Sequence, residues 1–355
     1  MIENITLLVT QHDLPARLDK FLCNQLPHLS RSLIVDAIES KDILLNGSPV
    51  LKGRNLKADD VVLIRRLLEE ADIRVVPNPT IKLDIIHEDN DILIIDKPPG
   101  IPVHPIKADE TGTLANGLVA RYPELADVGD DPLFPAFVHR IDSDTSGIIV
   151  AAKNDNAYKN LRKQFQEKKI RKIYLALVEG DVAKGGKMDN YLFHDPKDQR
   201  RMKVAKSCHC EAAGGGRSNL TAERHSERSE ESQRMSSPLR LLRHTAPRND
   251  RLLRAVTRYI PLKRFGTRTL LEVEIKTGVM HQIRCHLADI GHPIAGDKIY
   301  RGTGKGVRGK DAGERHLLHA HSIGFAHPAT GKQVRFEAEL PADFKKCLTK
   351  SLESI

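Results

Sequence analysis

One aspartate in this chain stands where a carboxylate can do chemistry. Asp142 lies in His139-Arg140-Ile141-Asp142-Ser143-Asp144-Thr145-Ser146-Gly147, which runs straight into the apolar stretch Ile148-Ile149-Val150-Ala151-Ala152. A carboxylate on a short polar loop beside a cationic partner stays ionised and aimed, as a nucleophile or general base requires. The same residues also suit an ordinary turn in which Asp and Ser side chains satisfy local backbone donors. By spacing alone, Tyr174 fits a core position in a strand-like run and Arg284 fits the surface of a helix. His281 and His286, or His316, His319 and His321, invite a metal reading, yet they lack a set of partner ligands, so no metal is expected. The stretch 302–309, rich in glycine and basic residues, lacks P-loop spacing and reads as a basic loop near a polyanion.

The elements that must hold Asp142 read as strands more than helices. From residue 83 onward, apolar runs at 84–87, 91–96, 147–153, 171–179, 269–276 and 333–338 predict strands. Helices are predicted over 112–122 and 156–166. Strands in runs with few helices between them indicate an α+β fold with an extended mixed sheet rather than a βαβ repeat. Residues 1–75 form a separate unit. Two amphipathic helices start near Arg17 and at Ser30, a plausible N-cap. Asn46-Gly47 then marks a two-residue hairpin, because both residues accept the positive φ of a tight turn. A third strand is expected at 60–64, and Pro77-Asn78-Pro79 reads as part of a linker over 76–82.

Composition is compatible with a polyanionic partner without pointing to one. With 355 residues, 40% hydrophobic content and a formal charge of +9, the chain can bury at least one sizeable core. Its positive charge suits a polyanion, since phosphate contacts release counterions. Five scattered cysteines, no signal peptide and no long apolar run lead us to expect a reduced, soluble, cytoplasmic protein. Only 4% of residues are aromatic, so recognition of a polyanion should rely on basic grooves and shape more than on stacking.

One segment is foreign to the rest. Residues 207–254 hold nine Arg and no Lys, against twenty Arg and 27 Lys elsewhere. Part of it resembles translated palindromic repeats, and its polarity indicates an inserted, flexible loop. Cys208-His209-Cys210 falls inside it and is not read as a metal site.

Beyond these physical readings, the motifs resemble a known family. His139 to Gly147, Lys169-Ile170-Arg171-Lys172-Ile173-Tyr174-Leu175-Ala176 and Thr277-Gly278-Val279-Met280-His281-Gln282-Ile283-Arg284-Cys285-His286-Leu287 are similar to the signature segments of the RluA family of pseudouridine synthases. The likeness continues through Gly291-His292-Pro293-Ile294-Ala295-Gly296-Asp297 and His327-Pro328-Ala329-Thr330-Gly331. Within the family, Val103-His104-Pro105 and the stretch 122–128 look most like the RluD type, which acts on a hairpin loop of large-subunit ribosomal RNA. The N-terminal unit resembles an S4 RNA-binding domain, although Lys41-Asp42 stands where that pattern has a glycine-containing turn.

The resemblance implies a catalytic domain over 83–355 with a mostly antiparallel mixed sheet and a central cleft. It also implies conversion of uridine to pseudouridine without cofactor, by a monomer. Asp142 would be the catalytic carboxylate acting on the ribose. Tyr174 would stack on the target base or accept its C5 proton. Arg284 would hold Asp142 with a bidentate fork. Arg140 would fill the gap left by the extruded uridine. Arg17, Arg31, Lys41, Lys52, Arg54, His281 and Gln282 would contact RNA. A synthase acting on another RNA, such as transfer RNA, or a ribosome-assembly factor with lapsed catalysis, are the alternatives.

Overall fold

Apolar residues recur at helical spacing twice near the N-terminus, and two helices form there in the computed structural model, which describes residues 2–69, 73–205, 252–300 and 314–353. The chain divides into two compact units, Met1–Ile81 with His104–Pro135, and Lys82–Val103 with Ala136–Ile355. In the first unit, β1 (Ile2–Leu8), α1 (Leu18–Gln25), α2 (Arg31–Glu39), β2 (Ile43–Leu45), β3 (Ser48–Pro49) and β4 (Val61–Leu67) follow in order. The strands form an antiparallel sheet ordered β1-β4-β2-β3. Leu18, Phe21 and Leu22 of α1 and Ile34 and Ile38 of α2 bury against Ile43, Val62 and Ile64 of that sheet. Each such side chain stabilises the unit by about 1.5–3 kcal/mol. Strand β1 was not expected. Only Ile2 and Leu7 of it are even partly buried, so no alternation marks it, and its ladder to β4 holds it.

Two turns show how this unit is built. Asn46 (φ +51°) and Gly47 (φ +78°) make the expected hairpin turn, with both central residues left-handed. At the end of α2, Lys41 takes φ +65°. Its N–H bonds Ile38 O at 3.1 Å, and the Asp42 N–H bonds Ala37 O at 2.9 Å, closing the helix in the way a glycine usually does. A lysine there costs on the order of 1–2 kcal/mol relative to glycine.

The linker expected at 76–82 is not a free tether. The Asn78 N–H donates to Asn116 O at 2.9 Å, its Nδ2 donates to Thr111 O at 2.8 Å, and Asn116 Nδ2 donates to Val76 O at 2.7 Å. These bonds tie it to α3 (Leu114–Arg121), because a polar linker still seeks partners for its amides.

The second unit carries the strand-rich part: β5 (Asp84–Glu88), β6 (Ile92–Lys97), β7 (Ser146–Ala152), α4 (Asp155–Gln166), β8 (Arg171–Glu179), β9 (Gly186–Asp195), β10 (Asp198–Val204), β11 (Leu253–Phe265), β12 (Arg268–Ile275), α5 (Gln282–Asp289), β13 (Leu318–Ala326), β14 (Gln333–Glu337) and α6 (Ala342–Glu353). Its sheet runs β10-β9-β11-β12-β8-β13-β7-β6-β5, with β14 beside β13. Every pairing is antiparallel except β13 with β7. At that parallel seam Gly147 has φ +108°, and a Cβ there would lie 2.3 Å from Ala320 O. Only glycine allows the two backbones to approach, and this fixes where the Asp142 loop enters the sheet.

The segment 207–254 lies outside the described residues up to 251. Its last two residues, however, belong to the sheet. Leu253 and Arg254 open β11 opposite Leu192 and Tyr191, and Arg254 grips Asp189 through bonds of 2.9 and 3.0 Å. The flexible loop expected over 207–254 therefore does not include these two residues, since arginine usage does not report ladder pairing. The loop at 302–309 also lies outside the described residues. Among the described residues no helix is long and apolar enough to cross a membrane.

Candidate active site

Asp142 sits on the loop between residues 139 and 145, and the backbone of that loop is pinned from three directions. Lys97, fully buried at the end of β6, donates from Nζ to the carbonyls of Ser143 (2.7 Å), Pro98 (2.8 Å) and Ile101 (2.8 Å). Burial pushes its pKa down, while three carbonyls accept all three ammonium protons and favour the charged form. Arg315 Nη1 donates to Asp144 O at 2.9 Å, and its Nε and Nη2 hold Asp343. Thr145 Oγ1 bonds His316 Nε2 at 2.8 Å. Inside the loop, Thr145 N–H closes a turn onto Asp142 O at 3.0 Å.

His139 anchors the loop's start. Its Nε2 accepts the Val150 N–H at 3.0 Å and its ring stacks on Phe165 at 4.9 Å. Burial pushes its pKa down to about 3, so the ring stays neutral and keeps accepting.

The Asp142 carboxylate, 26% exposed, receives Arg284 Nη1 on Oδ2 at 2.9 Å. The ion pair expected between them is present, but not as a bidentate fork. Arg284 gives its fork to Asp297, with Nε to Oδ2 at 2.7 Å and Nη2 to Oδ1 at 3.1 Å. Asp297 is fully buried and also accepts the N–H groups of Ile299 and Tyr300. One guanidinium thus serves two carboxylates, and the buried one takes the planar fork because it has no water to turn to. The two carboxylates hold Arg284 above its ordinary value despite its burial. Hydrogen bonds and the charge of Arg284 outweigh burial at Asp297 and hold it below its ordinary value.

Tyr174 projects from β8, flanked by Val273 of β12 and Ala320 of β13. Burial, and then the Asp142 charge, push its phenol up. Arg140 is exposed. Asp142, Tyr174, Arg284, Arg140 and His281 all line one cavity of about 600 Å³. Its wall also carries Arg162, Lys168, Lys172 and Lys276. Lys172 is depressed to about 8, first by burial and then by Lys276. Asp142 is the only carboxylate among the described lining residues.

Two of the expected RNA contacts meet a different structure. Gln282 is buried and its amide is used internally. Its Nε2 donates to Val256 O and Thr257 Oγ1, and its Oε1 accepts from Thr277 Oγ1 and Val279 N–H. It has nothing left to offer a nucleotide. His281 caps α5 in a left-handed conformation, φ +51°, with Nε2 3.9 Å from Asp142 Oδ2. In the first unit, Arg17 and Arg31 converge on buried Asp19, Lys52 pairs with Glu39, and Lys41 and Arg54 are exposed.

His316, His319 and His321 bond Thr145, Ser146 with Ala338 O, and Ala338 O respectively, while His286 bonds Thr257 through Nδ1 and its buried Nε2 has no partner among the described residues. Sequence reasoning assigned no role to Asp297, Lys97, Arg315 or Tyr300. A lysine at the end of a strand that is apolar except for Asp96 was the available signal for Lys97.

Residues 91–289 match the family of RNA pseudouridylate synthases. The chain belongs to that family. Residues 16–62 of the synthase match the S4 domain. The synthase is 35% identical to an uncharacterized RNA pseudouridine synthase of Aquifex aeolicus, over 93% of this chain and 92% of that one. It is 31% identical to the ribosomal large subunit pseudouridine synthase D of Neisseria meningitidis serogroup B, over 94% of this chain and 78% of that one. Its fold is that of the human RNA pseudouridylate synthase domain containing 4, with a TM-score of 0.52 and 21% identity over 76% and 93% of the two chains.

Proposed function

We propose that this pseudouridine synthase isomerises uridines in a hairpin loop of large-subunit ribosomal RNA, as a cytoplasmic monomer without a cofactor. In this reading residues 1–75 supply an RNA-binding domain and 83–355 the catalytic domain. The observation that carries it is a cavity whose wall holds six cationic side chains and one carboxylate, Asp142, itself gripped by buried Arg284. A volume of about 600 Å³ falls within the range of ligand sites, and the excess of positive charge selects a polyanion.

The isomerisation breaks the N1–C1′ bond, makes a C5–C1′ bond and moves one proton from C5 to N1, with no net redox change. Asp142 acts on the ribose. Arg284 occupies Oδ2, and Oδ1 accepts no hydrogen bond among the described residues, so Oδ1 is the oxygen available to the sugar. Tyr174 packs against the base. Its phenol is kept protonated by burial and the Asp142 charge, which favours stacking over service as the resting base. Once freed from the sugar, Asp142 is the ionised group at hand to take the C5 proton. Arg140 enters the gap that the flipped nucleotide leaves in its stack. The large-subunit target is supported by the names of relatives such as the Neisseria enzyme and by the S4 match.

Mapping pseudouridine in ribosomal RNA from cells carrying the wild-type gene, no gene, or Asp142→Asn tests this. Loss of the same large-subunit sites in the last two strains is expected. Unchanged ribosomal RNA with losses in transfer RNA would move the substrate.

A further inference from the structure

Tyr300 touches the whole charged constellation except its reacting carboxylate. Its side chain is buried, 4% exposed. Its backbone N–H donates to Asp297 Oδ1 at 3.0 Å, and its ring lies 5.3 Å from Arg284 Cζ. Its hydroxyl accepts the Met202 N–H at 2.7 Å and stands 3.2 Å from His281 Nδ1.

The direction of that last bond follows from counting donors. With the Met202 N–H already pointing at the oxygen, the phenol hydrogen needs an acceptor, because burial removes water as an alternative. His281 Nδ1 is the acceptor that the described residues place within reach. If Nδ1 carried the proton instead, two N–H groups would face one oxygen and the phenol hydrogen would be orphaned. The imidazole proton therefore sits on Nε2. Burial pushes the His281 pKa down, which favours this neutral ring. Nε2 is the nitrogen that faces Asp142 Oδ2, at 3.9 Å. This separation is longer than a hydrogen bond and short enough for a small shift to close it. Capping α5 at φ +51° fixes the backbone from which the ring is presented.

Resting on the assignment of Asp142 above, we propose that Tyr300 is a positioning residue. It locks His281 as a neutral Nε2–H donor, so that His281 and Arg284 together occupy Oδ2 of Asp142 and leave Oδ1 to the ribose. His281 is then part of the setting of the carboxylate rather than a contact for RNA phosphate.

The tautomer can be read directly. Nitrogen-15 NMR of the histidine-labelled full chain should show His281 protonated at Nε2 and unprotonated at Nδ1; a resonance pattern of the Nδ1–H form overturns the proposal even if no variant folds. Tyr300→Phe keeps the ring over Arg284 and removes only the hydroxyl. With an unmodified large-subunit ribosomal RNA transcript, its kcat should fall about five- to tenfold, the loss of one hydrogen bond, with KM nearly unchanged and the His281 tautomers mixed. His281→Gln, which keeps a donor near the Nε2 position, should retain more activity than His281→Phe. Adding Tyr300→Phe to His281→Gln should cost little more, because the two act through one bond. Wild-type kcat in Tyr300→Phe, or full additivity in the double variant, sinks the relay. Turnover by Asp142→Asn, measured alongside, would instead overturn the assignment on which it rests.

Discussion

Two arginine–carboxylate clusters in this protein use the same chemistry in opposite senses. In the first unit the carboxylate is hidden and the cations are presented: Asp19 is fully buried, while the Arg17 and Arg31 side chains are 43% and 64% exposed. In the second unit the cation is hidden and a carboxylate is presented: Arg284 is 6% exposed and Asp142 is 26% exposed. A charge-assisted bond needs both partners, yet only the partner left in reach of solvent can meet a ligand. In the proposed reading, Asp19 organises a cationic pair for phosphate, and Arg284 organises a carboxylate for chemistry. Asp297 completes the inversion by giving the buried guanidinium a partner of its own, so that removing Arg284 would strand a buried charge.

The largest effect should come from the presented carboxylate. Asp142→Asn keeps the shape and removes the reactive oxygen, so turnover should drop by about a thousandfold or more while RNA binding persists in a filter-binding assay. Substantial turnover would reverse the roles assigned within the second cluster.

Arg284→Lys comes next. A single ammonium cannot serve Asp297 with a planar fork and Asp142 at once, so a loss of about a hundredfold in kcat/KM is expected from single-turnover measurements. Wild-type kinetics in this variant would show that the fork does not matter.

Acid should loosen the second unit through its neutral, buried histidines. His286, His316 and His319 are held at about 4 by burial. Between that value and the ordinary value near 6.5, the unfolded chain binds more protons than the folded one. Stability from these rings is therefore full above pH about 6.5 and lost as pH falls toward 4, at about 1.4 kcal/mol per histidine per pH unit. Melting curves from pH 7.5 to 4.5 should show this, and a flat profile would exclude it.

Asp19→Asn separates organisation from charge. Net charge alone predicts tighter RNA binding after this change. If Asp19 instead orients the arginine pair, affinity should fall about three- to tenfold at constant salt. Tighter binding would remove the parallel between the clusters.

The smallest expected effect is local to α2. Lys41→Gly relieves a left-handed lysine, and with glycine's larger backbone entropy subtracted it should stabilise the first unit by about 0.5–1 kcal/mol, measured by urea unfolding; destabilisation would mean that the lysine side chain contributes contacts that outweigh the strain.

Much of this molecule was legible in local pattern. The expected strand at 171–179 matches β8, Asn46-Gly47 forms its hairpin, and the helices expected at 112–122 and 156–166 lie within two residues of α3 and α4. These features depend on neighbours in sequence: alternation, spacing, capping and turn chemistry. Features that depend on distant partners were not legible. Strand β1 has no apolar alternation of its own. The end of the segment with the arginine-rich composition was not legible as loop or strand, because Leu253 and Arg254 are strand residues by virtue of Leu192 and Tyr191.

The sequence by itself determined which residues could do chemistry here, because carboxylate, guanidinium and phenol are properties of residue type, and the motifs that carry them are contiguous. Only the tertiary structure decided how they are used. It sent the Arg284 fork to Asp297, 13 residues away, and one N–H to Asp142, 142 residues away. It also spent Gln282 inside the protein and set Tyr300 beside His281. Hydrogen bonds saturate and have direction, so a side chain's role follows from which partners the fold brings within 3 Å or so, and no local pattern encodes that.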